Sequence, residues 1–432
     1  MTKQMVSGTA VEQIPDGYKQ DHGYVIPKEW KVVHFDKCFH RLTQKNTENN
    51  QNVLTISAQQ GLISQLDYYN TLYASEDKTG YFLLQKGDFA YNKSYSMDYP
   101  YGAIKQLEKY EKGIVSPLYI CFSVNDGINT DFYKQYFEAG MFNREIYKIA
   151  QEGARNHGLL NVSTPEFFSS LLVFPPIEEQ KKIAEILAQC DKVIYLKEKQ
   201  LSEIEKKKRH IQKSLLTYLK QNDPQNQVAI RGTIGDLVFD ISSGTSVNSE
   251  SITAEFSNQN HYILKTSAVG NGQFNFREIK QITAADENRA SCPIEENTLL
   301  VSRMNTPNLV GACALCDRTC ANVYLPDRLW KVRVKKSIDI RWLNMVLNSP
   351  YYRNIMHVIA GGTSNSMKNI SQRDFLNIPL QIPTYGQQKQ VADIIESIET
   401  VISKHQEELK EWRVKKDALR QLLLTGIVRV KA

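Results

Sequence analysis

The sequence predicts a mixed α+β chain with a pseudo-twofold internal repeat: two α/β heads joined by two long antiparallel helices that form a coiled-coil spacer. Three observations predict it. A gapless internal repeat runs through the chain, each copy ends in a long heptad stripe, and the stretches before the stripes carry short β-like runs instead. The length agrees, since 432 residues exceed what one hydrophobic core usually fills.

The repeat appears when the sequence is shifted along itself by 208 residues, which lays Gly153–Thr217 on Gly361–Thr425 with 19 of 65 positions identical. Asn161/Asn369, Ser163/Ser371, Phe167/Phe375, Pro175/Pro383, Gln180/Gln388, Lys181/Lys389 and Ala184/Ala392 are among them. A match this long without insertion implies duplication.

The second half of each copy reads as a helix. Ile183, Leu187, Cys190, Ile194, Leu201, Ile204, Ile211 and Leu215, with Lys197, Lys208 and Tyr218 at the vacant places, step alternately by four and three. Val391, Ile395, Ile398, Ile402, His405, Leu409, Trp412, Lys416, Leu419 and Leu423 follow the same grid. Neither stripe meets Pro or Gly before Pro224 and Gly426. Thirty-six residues at 1.5 Å rise give a rod of roughly 54 Å. Matching stripes imply that the helices pack on each other, with the polar pairs Lys197/His405 and Lys208/Lys416 setting register. An antiparallel pair would put the heads at opposite ends of the rod.

The heads carry β-like runs at Tyr81–Leu84, Asp88–Asn92, Val115–Phe122, Leu299–Ser302 and Trp330–Val334, and short helices at Asp131–Ala139 and Ile340–Asn348. One shape recurs: a strand ends in a basic residue and meets a Pro/Gly loop, Lys93 with Pro100 and Gly102, and Arg303 with Pro307 and Gly311. The expected division is a leader (1–23), a first head (24–174), a central helix (175–222), a second head (223–382) and a C-terminal helix (383–432).

Composition and motifs exclude several classes. Hydrophobic residues at 41% and charged residues at 23% are ordinary globular values, and a net charge of +6 permits a nucleic-acid partner. Seven cysteines do not form a disulfide framework and suit a reduced, intracellular chain. No run approaches 18 apolar residues, and no secretory signal precedes the first head, so membrane and secreted readings are set aside. Phosphate-loop and dinucleotide glycine motifs are missing, and Pro175-Pro176 is followed by Ile177 rather than the aromatic of an amino-methyltransferase loop. Asp16, Glu29 and Lys31 match a loose metal-nuclease pattern that arises often by chance. Cys292, Cys313, Cys316 and Cys320 could ligate zinc, although Val310–Cys316 also reads as a buried strand. No metal is expected.

Binding surface remains. Lys206, Lys207, Lys208, Arg209 and Lys213 form a basic run, echoed by Arg413, Lys415, Lys416 and Arg420; this is either a solvated coil face or a contact for DNA or a subunit. Head loops offer Tyr91, Asn92, Lys93, Tyr95, Tyr99 and Tyr101, and Ser302, Arg303, Asn305 and Asn308, groups able to bond base edges. Arg155, Asn156 and Asn365 precede the repeated Asn-x-Ser and join the candidates.

The segment Phe174-Pro-Pro-Ile-Glu-Glu-Gln-Lys-Lys-Ile-Ala-Glu-Ile-Leu187, followed by Asp191 and Ile194, resembles the P-x-x-E-Q-x-x-I-A-x-x-L-x-x-x-D-x-x-I stretch of type I restriction–modification specificity subunits. Pro383–Ile402 carries it with Gln387 for the Glu and Glu399 for the Asp. Residues 86–94 and 300–311 are similar to that family's target-recognition domains. The resemblance implies a non-catalytic, cytoplasmic, nucleoid-associated subunit whose two target-recognition domains each read one half of a split double-stranded DNA target. With such a target, the candidate DNA contacts are the loop groups Lys93, Tyr95, Tyr101, Arg155, Asn156, Ser302, Arg303, Asn305, Asn308 and Asn365, chosen for their side-chain chemistry. The resemblance further implies that two methyltransferase subunits dock on the spacer (Gln180, Ile183, Leu187, Ile194, Leu201, Ile204, Ile211 and Leu215, with Gln388, Val391, Ile395, Ile402, Leu409, Trp412, Leu419 and Leu423). Two motor-nuclease subunits would complete the complex, and S-adenosylmethionine, ATP and Mg²⁺ would belong to the partners, with no cofactor in this chain. The alternatives are the specificity chain of a fused methylase–nuclease system and a coiled-coil scaffold without a DNA role.

Overall fold

The structure, a computed structural model, describes residues 14–57, 60–71, 74–94, 99–150, 160–218, 230–252, 256–270, 272–362 and 367–430, without the side chains of 215–218. Two compact units divide the chain. The first joins residues 1–198 with 407–432, and the second spans 199–406. Both divisions fall inside the long helices, so each unit combines one head with part of each helix.

The central helix runs Ile177–Tyr218 and the C-terminal helix Tyr385–Leu424. At 42 and 40 residues their calculated lengths are about 63 and 60 Å. They exceed the expected rod because the central helix starts directly after Pro175-Pro176, well before the first stripe residue Ile183. Proline's fixed φ suits a helix start, and Glu178 and Glu179 in the first turn favour the positive end of the helix dipole. The C-terminal helix stops before Gly426, whose φ of +74° is the left-handed conformation of a helix stop. A Cβ there would sit 2.6 Å from Pro27 Cγ and 3.2 Å from Trp30, so the close approach also requires glycine.

The heptad grid holds where it is described. Ile183, Leu187 and Cys190, and Val391, Ile395, Leu409, Lys416 and Leu423, are buried; Ile194, Lys197, Leu201, Ile204, Lys208 and Ile211, and Ile398, Ile402, His405, Trp412 and Leu419, are half-buried. Half-burial is what a two-helix seam can achieve, because only one flank of each side chain is covered. Within the first unit the helices run antiparallel: Asp191 pairs with Lys416, and six residues on, Lys197 pairs with Glu408 at 2.7 Å.

Each head is built on a four-stranded antiparallel sheet. Edge to edge, the first has Phe39–Arg41, Ile120–Val124, Phe89–Asn92 and Ala103–Gln106, and the second has Val238–Ser243, Leu329–Val334, Leu299–Ser302 and Cys313–Leu315. The strand order is the same. A second shared piece is a two-stranded ladder that ties head entry to head exit, Lys31–His34 with Leu171–Phe174 and Ile230–Thr233 with Pro379–Ile382. The run Val115–Phe122 is not one strand but two, Lys112–Val115 and Ile120–Val124 in different sheets. Likewise Val310–Cys316 contains a strand only at Cys313–Leu315, with Val310 in the preceding turn.

The cores fill the same sheet differently. The first packs Phe35, Phe39, Phe89, Phe122, Phe137, Phe142 and Phe167, with ring centroids such as Phe35–Phe167 4.8 Å apart. The second uses Trp330, Val332, Trp342, Leu343 and Phe375. Phe167 and Phe375, identical across the repeat, are both fully buried. The outer layers diverge further. Two hairpin-sized ladders flank the first sheet, whereas the second carries a five-stranded sheet.

The repeated Asn-x-Ser has a local explanation. Ser163 caps the helix Thr164–Ser169 by accepting from the Glu166 N–H, and Ser371 caps Gln372–Leu376 by accepting from Asp374. Ser163→Ala and Ser371→Ala should each lower stability by about 1 kcal/mol, read as a shifted urea midpoint at unchanged slope. An unchanged midpoint would show the caps to be idle.

Candidate nucleic-acid interface and its helical support

In both heads the basic residue after the third sheet strand is fixed by its backbone. The Leu160 N–H donates to the Lys93 carbonyl, and the Ile370 N–H donates to the Arg303 carbonyl, each at 2.9 Å. The chain that leads into the capped helix thus closes on the end of this inner strand, where the Pro/Gly loop begins. In the second head Met304–Asn305 and Lys368–Asn369 add a short ladder at that closure.

The candidate side chains take different places. Lys93, Tyr101 and Arg303 are half-buried and Asn308 is exposed. Tyr101 meets Tyr147 edge-on at 6.1 Å, and its carbonyl accepts from the Tyr91 hydroxyl at 3.0 Å. The Nε of Arg303 is buried and has no hydrogen-bond partner among the described residues. Tyr95, Arg155, Asn156 and Asn365 lie outside the described residues, as does the side chain of Leu215.

Two candidates need correction. Ser302 is fully buried and Asn305 nearly so; Asn305 Nδ2 donates to Ser302 Oγ at 3.1 Å, and its Oδ1 accepts from the Thr306 N–H at 2.8 Å. These groups build the loop rather than face a ligand. Polar residues in a Pro/Gly loop read as surface, but here the loop folds back over its own strand. Residues that hold this loop escaped sequence reasoning. Arg353 donates to the Val310 and Asn308 carbonyls, both at 2.9 Å, and His357 lies 3.1 Å from the Pro307 carbonyl. Both lie on the helix Pro350–Ile359, whose i, i+4 spacing of the two was the available signal.

Gln180 and Gln388 also need correction as docking residues. They are 0% and 1% exposed. Gln180 Nε2 donates to the Pro175 carbonyl at 2.8 Å and its Oε1 accepts from the Asn129 N–H at 3.1 Å. Gln388 repeats this with the Pro383 carbonyl at 2.8 Å and the Asp339 N–H at 2.9 Å. Asn129 and Asp339 are N-caps of the head helices Thr130–Glu138 and Ile340–Leu347. Each glutamine therefore clamps a long helix to its own head.

Around these clamps lie ion pairs. Asp191 holds Lys416 in the first unit, and under the 208-residue offset the same two places are Glu399 and Lys208, paired at 2.5 Å in the second. The Glu399 substitution in the helical signature thus keeps its charge and its partner type. Arg341 reaches Asp339, Asp393 and Glu396 at 2.7, 2.9 and 2.6 Å. Burial pushes the Asp339 carboxyl up, but the Arg341 guanidinium outweighs it and holds the group below the usual carboxylate range.

The nuclease and zinc patterns take other roles. Glu29 pairs with Arg429 at 2.7 Å, and Arg429 also binds Glu179, which accepts from Trp30 Nε1 at 3.1 Å. Asp16 is exposed in a turn and Lys31 exposed on the entry strand. The thiols of Cys292, Cys313, Cys316 and Cys320 contact Ser242 Oγ, the Gly311 carbonyl, the Arg318 carbonyl and Asn322 Oδ1 in turn. Among the described residues no three His, Cys, Asp or Glu side chains gather to hold a metal, and no helix is long and apolar enough to cross a membrane.

No family profile matches the chain. Individual relatives do. The specificity subunit of the type I restriction enzyme MjaVIII from Methanocaldococcus jannaschii is 22% identical over 432 residues, spanning 96% of this chain and 97% of its own. The specificity subunit of the EcoKI enzyme from Escherichia coli K12 is 22% identical over 298 residues, 66% of this chain and 60% of its own. Over nearly its whole length the chain is similar to a type I restriction specificity subunit. Solved structures agree in fold. A chain from a type I restriction–modification system superposes with a TM-score of 0.56 at 14% identity, over 94% of this chain and 100% of itself. The Mycoplasma genitalium type I specificity subunit gives 0.52 at 12% identity, over 91% and 96%.

Proposed function

We propose that this chain is the DNA-reading subunit of a type I restriction–modification system, with each head reading one half of a bipartite double-stranded target. The observation that carries the reading is that the two heads share one sheet order and one clamp to the helices while their cores and outer layers differ. A common base with unlike outer layers suits two readers of unlike sequences. Lys93 and Tyr101 in the first head, and Arg303 and Asn308 in the second, are the described candidates that would meet bases or phosphates. Two methyltransferase subunits would methylate an adenine in each half-site, flipping it from the duplex. Two motor-nuclease subunits would cut, and the S-adenosylmethionine, ATP and Mg²⁺ for these reactions would be held by the partners.

Exchanging residues 24–174 for the corresponding head of a relative tests the reading. Methylation mapping of host DNA should return a bipartite methyladenine motif in which only one half has changed. If both halves change, or neither does, independent heads are ruled out. If no methyladenine depends on the chain, the function itself is ruled out.

A further inference from the structure

The heads share a four-stranded base sheet, and the second adds a five-stranded outer sheet where the first has short ladders. A group that reads a sequence peculiar to the second head therefore belongs on this outer layer. The loop that both heads close in the same way is the poorer place for it. On and beside the outer sheet, Tyr262 stacks on Phe256 at 4.9 Å, and Phe256 meets Phe276 edge-on at 5.4 Å. The guanidinium carbon of Arg318 lies 4.5 Å from the centre of the Phe276 ring.

Arg318 sits in the turn between the base-sheet strand Cys313–Leu315 and the outer-sheet strand Cys320–Tyr324. That turn is held on both sides. The Asn297 N–H donates to the Cys316 carbonyl at 3.1 Å, and the Glu296 N–H donates to Thr319 Oγ1 at 2.9 Å. Asp317 accepts from Arg318 Nε at 2.8 Å and from Nη2 at 3.3 Å. A guanidinium carries five N–H donors in one plane. With two of them on Asp317, both donors on Nη1 and one on Nη2 remain, so the Nη1–Nη2 edge presents a parallel pair. The Arg318 side chain is 47% exposed, and among the described residues its guanidinium makes no other hydrogen bond.

We infer that Arg318 is a base-reading residue of the second head, donating from Nη1 and Nη2 to O6 and N7 of a guanine in the major groove. The inference rests on the function proposed above and adds to it a specificity determinant and the base it selects. Guanine alone offers two acceptors side by side in that groove, whereas adenine sets a donor beside its N7. The free edge of the fork matches the acceptor pair. A phosphate is the poorer occupant, because the Asp317 carboxylate cancels the local charge and repels a phosphate oxygen. Stacking on Phe276 and the tie to Asp317 hold the fork in one orientation before DNA arrives, so little side-chain freedom is lost on contact.

The test uses the full chain with its methyltransferase partner, on the target motif returned by methylation mapping. Deazaguanine, in which the N7 acceptor is a C–H, replaces each guanine of the two half-sites in turn. Wild-type binding should fall about fivefold or more at one guanine in the half-site read by the second head. Arg318→Ala should bind the natural target about tenfold or more weakly, lose nothing further from that analogue, and accept other bases at that position alone. Arg318→Lys should show the same loss, because an ammonium on a flexible stem cannot make two parallel bonds. Arg318 is exposed, so its variants should melt with the wild type, and the analogue series reads the natural chain in any case. Equal losses on specific and random DNA, with a salt slope reduced by about one, would mark a phosphate contact and overturn the inference. An unchanged motif and affinity in Arg318→Ala, or an analogue series with no sensitive guanine, would overturn it while the proposed function stands. A wild-type chain that directs no methylation removes the proposed function, and this inference with it.

Discussion

Gln180→Leu should destabilise the first unit by about 2–4 kcal/mol, because two buried backbone groups lose their partners at once and each unsatisfied group costs about 1–3 kcal/mol. Leucine fills nearly the same volume, so the loss is one of hydrogen bonding rather than of packing. The Pro175 carbonyl and the Asn129 N–H, now paired with the amide at 2.8 and 3.1 Å, would face an apolar side chain with no water to replace it. Asn129 caps the head helix Thr130–Glu138, so that helix should loosen first. Hydrogen exchange should rise over residues 130–138 before the central helix is affected. Gln388→Leu should do the same over 340–347 in the second unit. Unaltered urea unfolding in both variants would show that the clamps contribute nothing.

Asp191→Ala should cost about 2–3 kcal/mol, somewhat below the 3–5 kcal/mol typical of a broken buried pair because the aspartate is partly exposed and screened. Lys416 is buried in the helical seam and would keep its charge without a partner. Replacing both residues together, as Asp191→Leu with Lys416→Met, should return stability to within about 1 kcal/mol of wild type, since no uncompensated charge then remains. The pH dependence has a definite sign. Burial lowers the Lys416 ammonium pKa from its ordinary 10.5, and Asp191 works against that shift. A lysine that is easier to deprotonate when folded opposes folding while it carries its proton. Asp191→Ala removes the compensating acid, so the variant should regain stability as pH rises through the alkaline range, more steeply than wild type. A flat pH response would place Lys416 outside the seam. Glu399→Ala should have a smaller effect on the half-buried Lys208 of the second unit.

Particular residues show why some of this was legible in the chain and some was not. The heptad grid was, because a helix repeats every 3.6 residues and burial on one flank leaves a periodic mark. The two strands Leu299–Ser302 and Phe89–Asn92 were also visible, as short apolar runs ending in a basic residue. Gln180 and Gln388 were noticed as identities and expected among the docking residues, because an amide on a long helix reads as surface until the backbone it reaches is known. Ser302 and Asn305 were misplaced for the converse reason, because the loop that buries them is closed by Arg353 and His357, some fifty residues further on. Arg341 escaped notice because Asp393 and Glu396, one helical turn apart, look like an ordinary hydrated face.

The sequence by itself determined the duplication, the stripe of both helices and the family they resemble, since these are periodic or linear properties that survive without coordinates. Tertiary structure alone decided that both heads share one sheet order, that the glutamines are internal clamps, and that Asp191 with Lys416 and Glu399 with Lys208 form the same ion pair at matching places. Hydrogen-bond partners and charge neutralisation depend on residues distant in the chain, and only folding brings those residues within 3 Å of each other.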